Sequence, residues 1–437
     1  MQDFIAILGR QPHIGMAELE RTFGDVQWFA HDAATIKTDS FDIQRLGGTV
    51  KAGRIIAQLP RADWRQASMK IVEHYTQEWS GATGKITLGI SAYGFKLSPR
   101  DVQRTGIILK SRLKNAGVSL RLVPNEQAVL GSATSHHNKL GLAPNKVELM
   151  VVRGHGGAVI VAESTGAQNI TALARRDQER PARDAFVGML PPKLAQIMIN
   201  LAIGFQAKRV ADGGAAPASV KISDFSEEGA DRLTGPVSSD LRADFASAKS
   251  NDGSGAHTTI LDPFCGTGVV LQEAALLGYS VYGTDLSEKM VDYSRRNLEW
   301  LATKYHTSNS SIIEHGDAMD TTWRQPIDAV ACEAYLGQPF SAPPSPAKLE
   351  QVRGNCDHII TEFLKNIGGQ LQPGTPLCVA VPAWNDGQDN FTHLPLIKKL
   401  AQLGYKQIEF KNVHAKDLLY YREGQVVARE LLVLAKI

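Results

Sequence analysis

Cysteine is scarce in this 437-residue chain. Only Cys265, Cys332, Cys356 and Cys378 occur, with no CxxC pair and no histidines at ligand spacing. Neither a disulfide framework nor a zinc site is indicated, no metal is expected, and a reducing compartment fits. Long apolar runs are also missing, so no bilayer-spanning segment is expected. The opening MQDFIAILGRQ has no basic region ahead of its short apolar stretch, which argues against a signal peptide and for a cytoplasmic location. Net charge is only +2, but it is unevenly spread. Residues 1–170 hold 20 Lys or Arg against 14 Asp or Glu, leaving 27 against 31 for the remainder. Within 85–153 eleven basic residues meet three acidic ones. Such an excess is the footprint of a phosphate-backbone partner, with a solvated lysine-rich face as the ordinary alternative.

What the chain does have is a strand, glycine turn, helix and second strand in close succession, HTTILDPFCGTGVVLQEAALLGYSVYGTD at 257–285. Thr259, Ile260 and Leu261 enter Asp262-Pro263-Phe264-Cys265-Gly266-Thr267-Gly268, and Val269 to Leu277 reads as a helix ended by Gly278. Gly266 and Gly268 let a ligand approach the backbone. Asp285 closes the second strand nineteen positions after Gly266, where doubly wound folds place an acid on ribose hydroxyls. A dinucleotide fingerprint would need glycine at Leu271, so NAD is disfavoured. Asp262 would repel a pyrophosphate and suits a cationic or zwitterionic ligand, as S-adenosylmethionine is.

Taken in order, residues 3–9 read as a strand, 14–23 as a helix and 35–38 as a strand, with LGGTVKAGRII (46–56) as a turn. A strand at 85–92 precedes a helix opened by Ser98 and Pro99 that runs to about Lys114, with Val102, Ile107, Ile108 and Leu109 among its apolar positions. Strands follow at 120–123, 147–152 and 159–162, with SATSHHNKLGLAPNK as a basic loop. His136 and His137 in that loop have no acid or thiol close by in sequence at metal-ligand spacing and read as surface or RNA contacts. Lys96, Arg100, Arg104, Lys139 and Lys146 are the candidate contacts to a nucleic acid. After Pro191-Pro192, Leu194, Ile197, Met198 and Leu201 mark an amphipathic helix. The Gly, Ser and Ala-rich stretch 212–256, with eight acids and four bases, reads as a mobile insertion. Strands and helices then alternate: helix 287–301, strand 311–314, strand 327–332, helix 349–367, strand 377–381, helix 392–403, and two strands near 406–411 and 428–436 paired through YYREGQ. Pro339, Pro343, Pro344 and Pro346 mark a rigid loop. The expected fold class is α/β, a doubly wound sheet with an antiparallel edge.

DPFCGTG followed by GTD, KMV, RNL and GDA resembles the class I S-adenosylmethionine-dependent methyltransferases. Within them it resembles the THUMP-containing tRNA guanosine-N2 methyltransferases of the guanosine-10 type. RPARDAFVGMLPPKLAQIMINLA is similar to the segment preceding their glycine loop, and LGGTVKAGRI and YGFKLSPRDVQ are similar to their N-terminal region. The resemblance implies a seven-stranded Rossmann-like domain at 193–437, a ferredoxin-like region at 1–80, a THUMP-like RNA-binding domain at 81–170 and a linker at 171–192. It further implies that Asp262, Phe264, Gly266 and Gly268 cradle the methionine part of S-adenosylmethionine, that Asp285 binds the ribose, and that Asp317 and Ala318 meet the adenine. Helix 193–201 would close over the cofactor and tRNA would be the partner. Where the family has Asp-Pro-Pro-Tyr, this chain has Glu333-Ala334-Tyr335-Leu336-Gly337. Glu333 would hold the amine to be methylated and Tyr335 would stack on the base. A DNA or adenine-N6-type methyltransferase and a non-catalytic tRNA-binding protein stand as alternatives. Participation of an activator subunit is left open.

Overall fold

The computed structural model describes residues 1–184, 190–204, 258–388 and 390–437. The expected insertion at 212–256 and residues 185–189 of the expected linker lie outside them. The chain divides into two compact units, Met1–Ala174 and Arg175–Ile437.

The first unit runs β1 (Gln2–Leu8), α1 (Pro12–Phe23), β2 (Val26–Ala30), β3 (Ala33–Thr38), β4 (Thr49–Leu59), α2 (Trp64–Glu78), β5 (Lys85–Tyr93), α3 (Pro99–Asn115), β6 (Ser119–Leu122), α4 (Ser132–His137), β7 (Lys146–Arg153) and β8 (Val159–Ala167), and α5 (Ile170–Gln178) continues past its end. One sheet takes all eight strands in the order β2-β3-β1-β4-β8-β7-β5-β6. It is antiparallel except where β5 pairs in parallel with β6 and β7. The regions expected at 1–80 and 81–170 thus share this sheet through neighbouring β4 and β8.

The stretch expected as a turn at 46–56 is mostly strand. Gly47 and Gly48 make the turn, donating their N–H groups to the buried Glu18 carboxylate at 2.9 and 2.8 Å. Gly53 sits within β4, where a Cβ would come 2.8 Å from the Glu163 carbonyl oxygen. It marks a close backbone approach inside a strand, not a chain reversal. Six residues of the expected basic loop form α4, since Gly131 and Thr134 carbonyls accept from Ser135 and Asn138 N–H groups. On α3, capped reciprocally by Ser98 and Asp101, the buried stripe is Val102, Gly106, Leu109 and Leu113. Helical spacing from that stripe turns Ile107 and Ile108 outward, and both are exposed.

The second unit runs α6 (Pro192–Ile203), β9 (Thr259–Asp262), α7 (Val269–Leu276), β10 (Ser280–Asp285), α8 (Glu288–Tyr305), β11 (Ser311–His315), β12 (Ala329–Glu333), α9 (Pro346–Gly368), β13 (Pro376–Asn385), β14 (Phe391–Thr392), β15 (Tyr405–Gln407), β16 (Leu419–Tyr420) and β17 (Val427–Lys436). The main path of its sheet is β11-β10-β9-β12-β13-β17-β15, with β14 on β13 and β16 on β17. Strands β9 to β13 pair in parallel, and β17 is antiparallel to both β13 and β15. The expected α/β class with an antiparallel edge is borne out as a Rossmann-like sheet. One sheet face buries Val330, Cys332, Val379, Val381, Leu432 and Leu434 with Val352, Cys356, Ile360 and Phe363 of α9. On α6 ten of twelve residues are buried, from Pro192 to Ala202, so the helix is a core element with a narrower polar side than the expected amphipathic pattern.

Three expectations at the C-terminal end are corrected. The helix placed at 392–403 is a 3-10 turn at Pro395–Lys399, because its buried residues Leu394, Leu396 and Leu400 do not share a 3.6-residue stripe. The Leu396 N–H donates to the Asp357 carboxylate at 2.7 Å instead of entering an α-helical ladder. YYREGQ joins β17 to the two-residue β16, not to the longer strand expected near 406–411, which is reduced to β15. Pro346 opens α9 behind the Ser345 cap and is not part of a loop.

Candidate active site

The chain order reverses between β9 and β12. From β9 it moves outward through β10 to β11, and from β12 it moves the other way to β13. Open α/β sheets bind ligands in the crevice outside the carboxyl ends of strands at such a switch point. Here β9 ends on Asp262, β10 on Asp285 and β12 on Glu333, so three carboxylates stand at one rim.

Asp262 is almost fully buried, and its side chain accepts from the Phe264 N–H at 3.1 Å. Burial pushes its carboxyl well above the usual carboxylate range, and repulsion from Asp285 and Glu333 adds to the rise. Gly266 and Gly268 both have left-handed φ, +51° and +81°. A Cβ on Gly266 would meet only the Phe264 carbonyl, at 3.9 Å, and would project into the open side of the loop. On Gly268 a Cβ would press against Ser294, 3.3 Å from its Cα and Cβ. Asp285 braces the loop. One oxygen accepts from the Gly266 N–H and the other from the Ser287 N–H, each at 2.9 Å. Phe264 stacks edge-on against Phe363, with centroids 5.1 Å apart. The Gly316 N–H donates to the Asp285 carbonyl at 3.1 Å, bringing Asp317 and the buried Ala318 beside the end of β10. Asp317 closes its own turn by accepting from the Met319 N–H at 2.9 Å.

Two residues of α8 hold this loop from behind. Ser294 donates to the Gly266 carbonyl at 2.8 Å. Asn297 donates to the Thr267 carbonyl at 2.8 Å and pairs with both backbone groups of Ala182 at 2.9 Å. Asn297 belongs to the RNL motif noted in the sequence, while Ser294 was not singled out. A small polar residue one turn before a buried Asn was its only signal.

Glu333 is not a solvated strand-end carboxylate. Its Oε1 accepts from the Arg429 Nε, and both side chains are largely buried. Burial pushes the Glu333 carboxyl up, and the guanidinium pulls it back in part. Arg429 escaped the sequence reading. Its signal was a charged Arg429-Glu430 pair inside the apolar strand VARELLVLAK, where each charge needs a partner. Glu430 has one in His393 Nδ1 at 2.7 Å. Tyr335, two residues beyond Glu333, is 46% exposed.

The five candidate nucleic-acid contacts fall into two groups. Lys96, Arg100 and Arg104 are exposed around the start of α3, which follows the C-terminal end of β5. Lys146 pairs with Thr87 near the other end of β5, and the exposed Lys139 joins it through the turn in which Gly141 donates to the Lys146 carbonyl at 2.8 Å. The strand register therefore separates residues that composition alone had grouped. Among the described residues no three His, Cys, Asp or Glu side chains gather as a metal site requires. No described helix is long and apolar enough to cross a membrane.

Residues 260–354 match the family model described as a methyltransferase domain. Among curated proteins, the chain is 34% identical over 127 residues to the tRNA (guanine(10)-N2)-dimethyltransferase of Methanothermobacter thermautotrophicus, covering 29% of this chain and 34% of that protein. It is 39% identical over 83 residues to the protein of the same name from Pyrococcus abyssi, covering 19% and 21%. The matches thus span about a third and a fifth of those relatives' lengths. Among solved structures, TrmN from Thermus thermophilus aligns over the full length of both chains at 17% identity and a TM-score of 0.48.

The matched stretch, with the sheet order above, makes the second unit a Rossmann-like methyltransferase domain. S-adenosylmethionine is the methyl donor of such a domain, and the residues present fit it. The rim of Asp262, Asp285 and Glu333 offers carboxyl oxygens that can accept from ammonium and hydroxyl groups and gives a phosphate no donor. Gly266 leaves open the volume that a side chain would fill, while Gly268 lets the loop pack against Ser294.

Proposed function

We propose that the protein is an S-adenosylmethionine-dependent RNA methyltransferase acting on the exocyclic N2 amine of a guanosine in tRNA. Asp262, Phe264, Gly266 and Gly268 would hold the methionine part of the donor, Asp285 its ribose, and Asp317 with Ala318 its adenine. When bound, the donor would supply an electrophilic methyl group to the amine nitrogen and leave as the neutral thioether, with one N–H proton given up by the amine.

The amine lone pair of guanine is spread into the ring, so the protein must hold the N–H groups and turn the lone pair toward the methyl. Glu333 does this by accepting from the amine. Its Oε1 is already engaged by Arg429, which leaves Oε2 for the substrate and for the released proton. Tyr335 offers a stacking face beside it. The basic residues of the first unit contact the tRNA backbone.

The observation that carries this reading is a restrained carboxylate at the switch point, one strand from the acidic glycine loop. The tRNA guanosine part is supported by the activity named for both curated relatives. Incubation with labelled S-adenosylmethionine and total tRNA, followed by digestion to nucleosides, should place label in N2-methylguanosine. Label that appears only with DNA would overturn the substrate. Glu333→Gln is expected to lower kcat about a hundredfold or more with donor affinity nearly intact, whereas Asp285→Ala should weaken donor binding. Full activity in Glu333→Gln would refute the assigned role.

A further inference from the structure

We infer that Arg429 is the positioning residue for the acceptor carboxylate, lying across β13 to hold Glu333 at the end of β12 so that one oxygen is restrained and the other is left for the amine. This rests on the role proposed above for Glu333. Glu333 stands opposite Ala380 of β13, Ala380 stands opposite Leu431 of β17, and Arg429 stands opposite Pro382. Alternate residues of a strand share a face, so Glu333 and Arg429 point from the same side of the sheet with β13 between them. On that side β13 presents the single methyl of Ala380 and the ring of Pro382. A guanidinium can span the gap because nothing larger stands in it.

The contact accounts for the departure from the Asp-Pro-Pro-Tyr pattern. Without the two prolines, the backbone after β12 loses the stiffness that would orient a short carboxylate. Glutamate is one methylene longer, and its reach back to a planar, permanently charged group supplies the restraint from the side chain. The pair also favours the charged form of the carboxylate, opposing the rise that burial causes. Among the described residues, the ionisable groups on the neighbouring elements are Cys332 beside Glu333 on β12 but directed to the other face, Cys378 on β13, Tyr420 of β16 opposite Arg429, Glu430 beside Arg429 on β17 but directed to the other face and paired with His393, and Lys193 in the first turn of α6. A buried glutamate without Arg429 would take up a proton more readily, and a protonated carboxyl could not receive the proton that the amine releases.

The test uses the full-length chain and the labelled-tRNA assay, with Arg429→Lys and Arg429→Gln each made alone and on the Glu333→Gln background. Arg429→Lys should lower kcat about tenfold or more with the KM for tRNA and the donor affinity little changed. The acid limb of its kcat–pH profile should move to higher pH, because the carboxylate loses part of what keeps it ionised; Arg429→Gln should move it further. On the Glu333→Gln background the same substitutions should cost little more. A uniform loss of kcat with the acid limb in place, or an equal loss on both backgrounds, would overturn the positioning role. Glutamate-selective 13C labelling supplies a readout that needs no substrate. The Glu333 carboxyl signal, assigned by its disappearance in Glu333→Gln, should titrate at higher pH in Arg429→Lys, and an unchanged midpoint would refute the coupling. A shifted midpoint in a protein that leaves tRNA unmethylated would uphold the pair while rejecting the tRNA substrate.

Discussion

A carboxyl group buried as Asp262 is favours the fold more when neutral than when charged. Its pKa in the folded protein lies above the unfolded value. Its stabilising contribution is therefore complete below the unfolded pKa and is lost as pH rises through the folded one. Asp262→Asn keeps an oxygen for the Phe264 N–H and removes the titration. The melting temperature of the variant, relative to the parent, should climb as pH rises above the ordinary carboxylate range. A constant offset over that rise would show that Asp262 does not titrate there. The sequence made this residue legible as an acid at the mouth of a glycine loop, since DPFCGTG places it one residue before a proline and four before Gly266. Its burial was not legible, because that depends on the neighbouring β10 and β12.

Elements are pinned to one another by polar contacts as well as by apolar faces. Arg176, near the end of α5, forms a two-pronged buried pair with Glu273 of α7, Nε to Oε1 at 2.7 Å and Nη2 to Oε2 at 2.9 Å. It ties the segment ahead of α6 to the helix that follows the glycine loop. Arg176→Ala leaves Glu273 buried and uncompensated and should destabilise the second unit by about 3–5 kcal/mol, measured by urea unfolding. Replacing both residues with apolar ones of similar volume, Arg176→Met with Glu273→Leu, should recover most of that loss. An equal loss in the double variant would show that the pair matters for more than charge compensation. Most elements were legible wherever periodicity and a terminator coincided, as in α3 with its Ser98 cap and Gly117. They were illegible where a glycine served a packing need, as Gly53 does in β4, or where fewer than two turns gave the pattern no length, as in α4.

Across the molecule, charge follows the division into two units. The basic excess counted over residues 85–153 lies in the first unit, where Lys51 of β4 and Glu148 of β7 are a fully buried pair that adds nothing to the surface. Lys96, Arg100, Arg104 and Lys139 remain exposed. If Arg100 and Arg104 each neutralise a tRNA phosphate, their joint replacement by Ala should weaken tRNA binding and flatten the slope of log K against log salt by roughly one to two units. Filter binding at several salt concentrations would measure it, and an unchanged slope would remove these residues from the interface. The first unit has its own buried clusters, so residues 1–174 expressed alone should unfold cooperatively. A broad, non-cooperative transition would count against independent folding.

The amino-acid sequence by itself determined the glycine loop, its flanking acids and the α/β alternation, because these depend on spacing along the chain: nineteen residues from Gly266 to Asp285 and a period that switches between strand and helix. Only the tertiary structure decided what Glu333 is. Its partner lies 96 residues away on β17, brought alongside by an antiparallel strand whose register no local pattern records. The same holds for the candidate tRNA contacts, which are close in sequence and are separated by the direction of β5 and β7. Local spacing fixes what a loop can hold, while long-range register decides which charges meet.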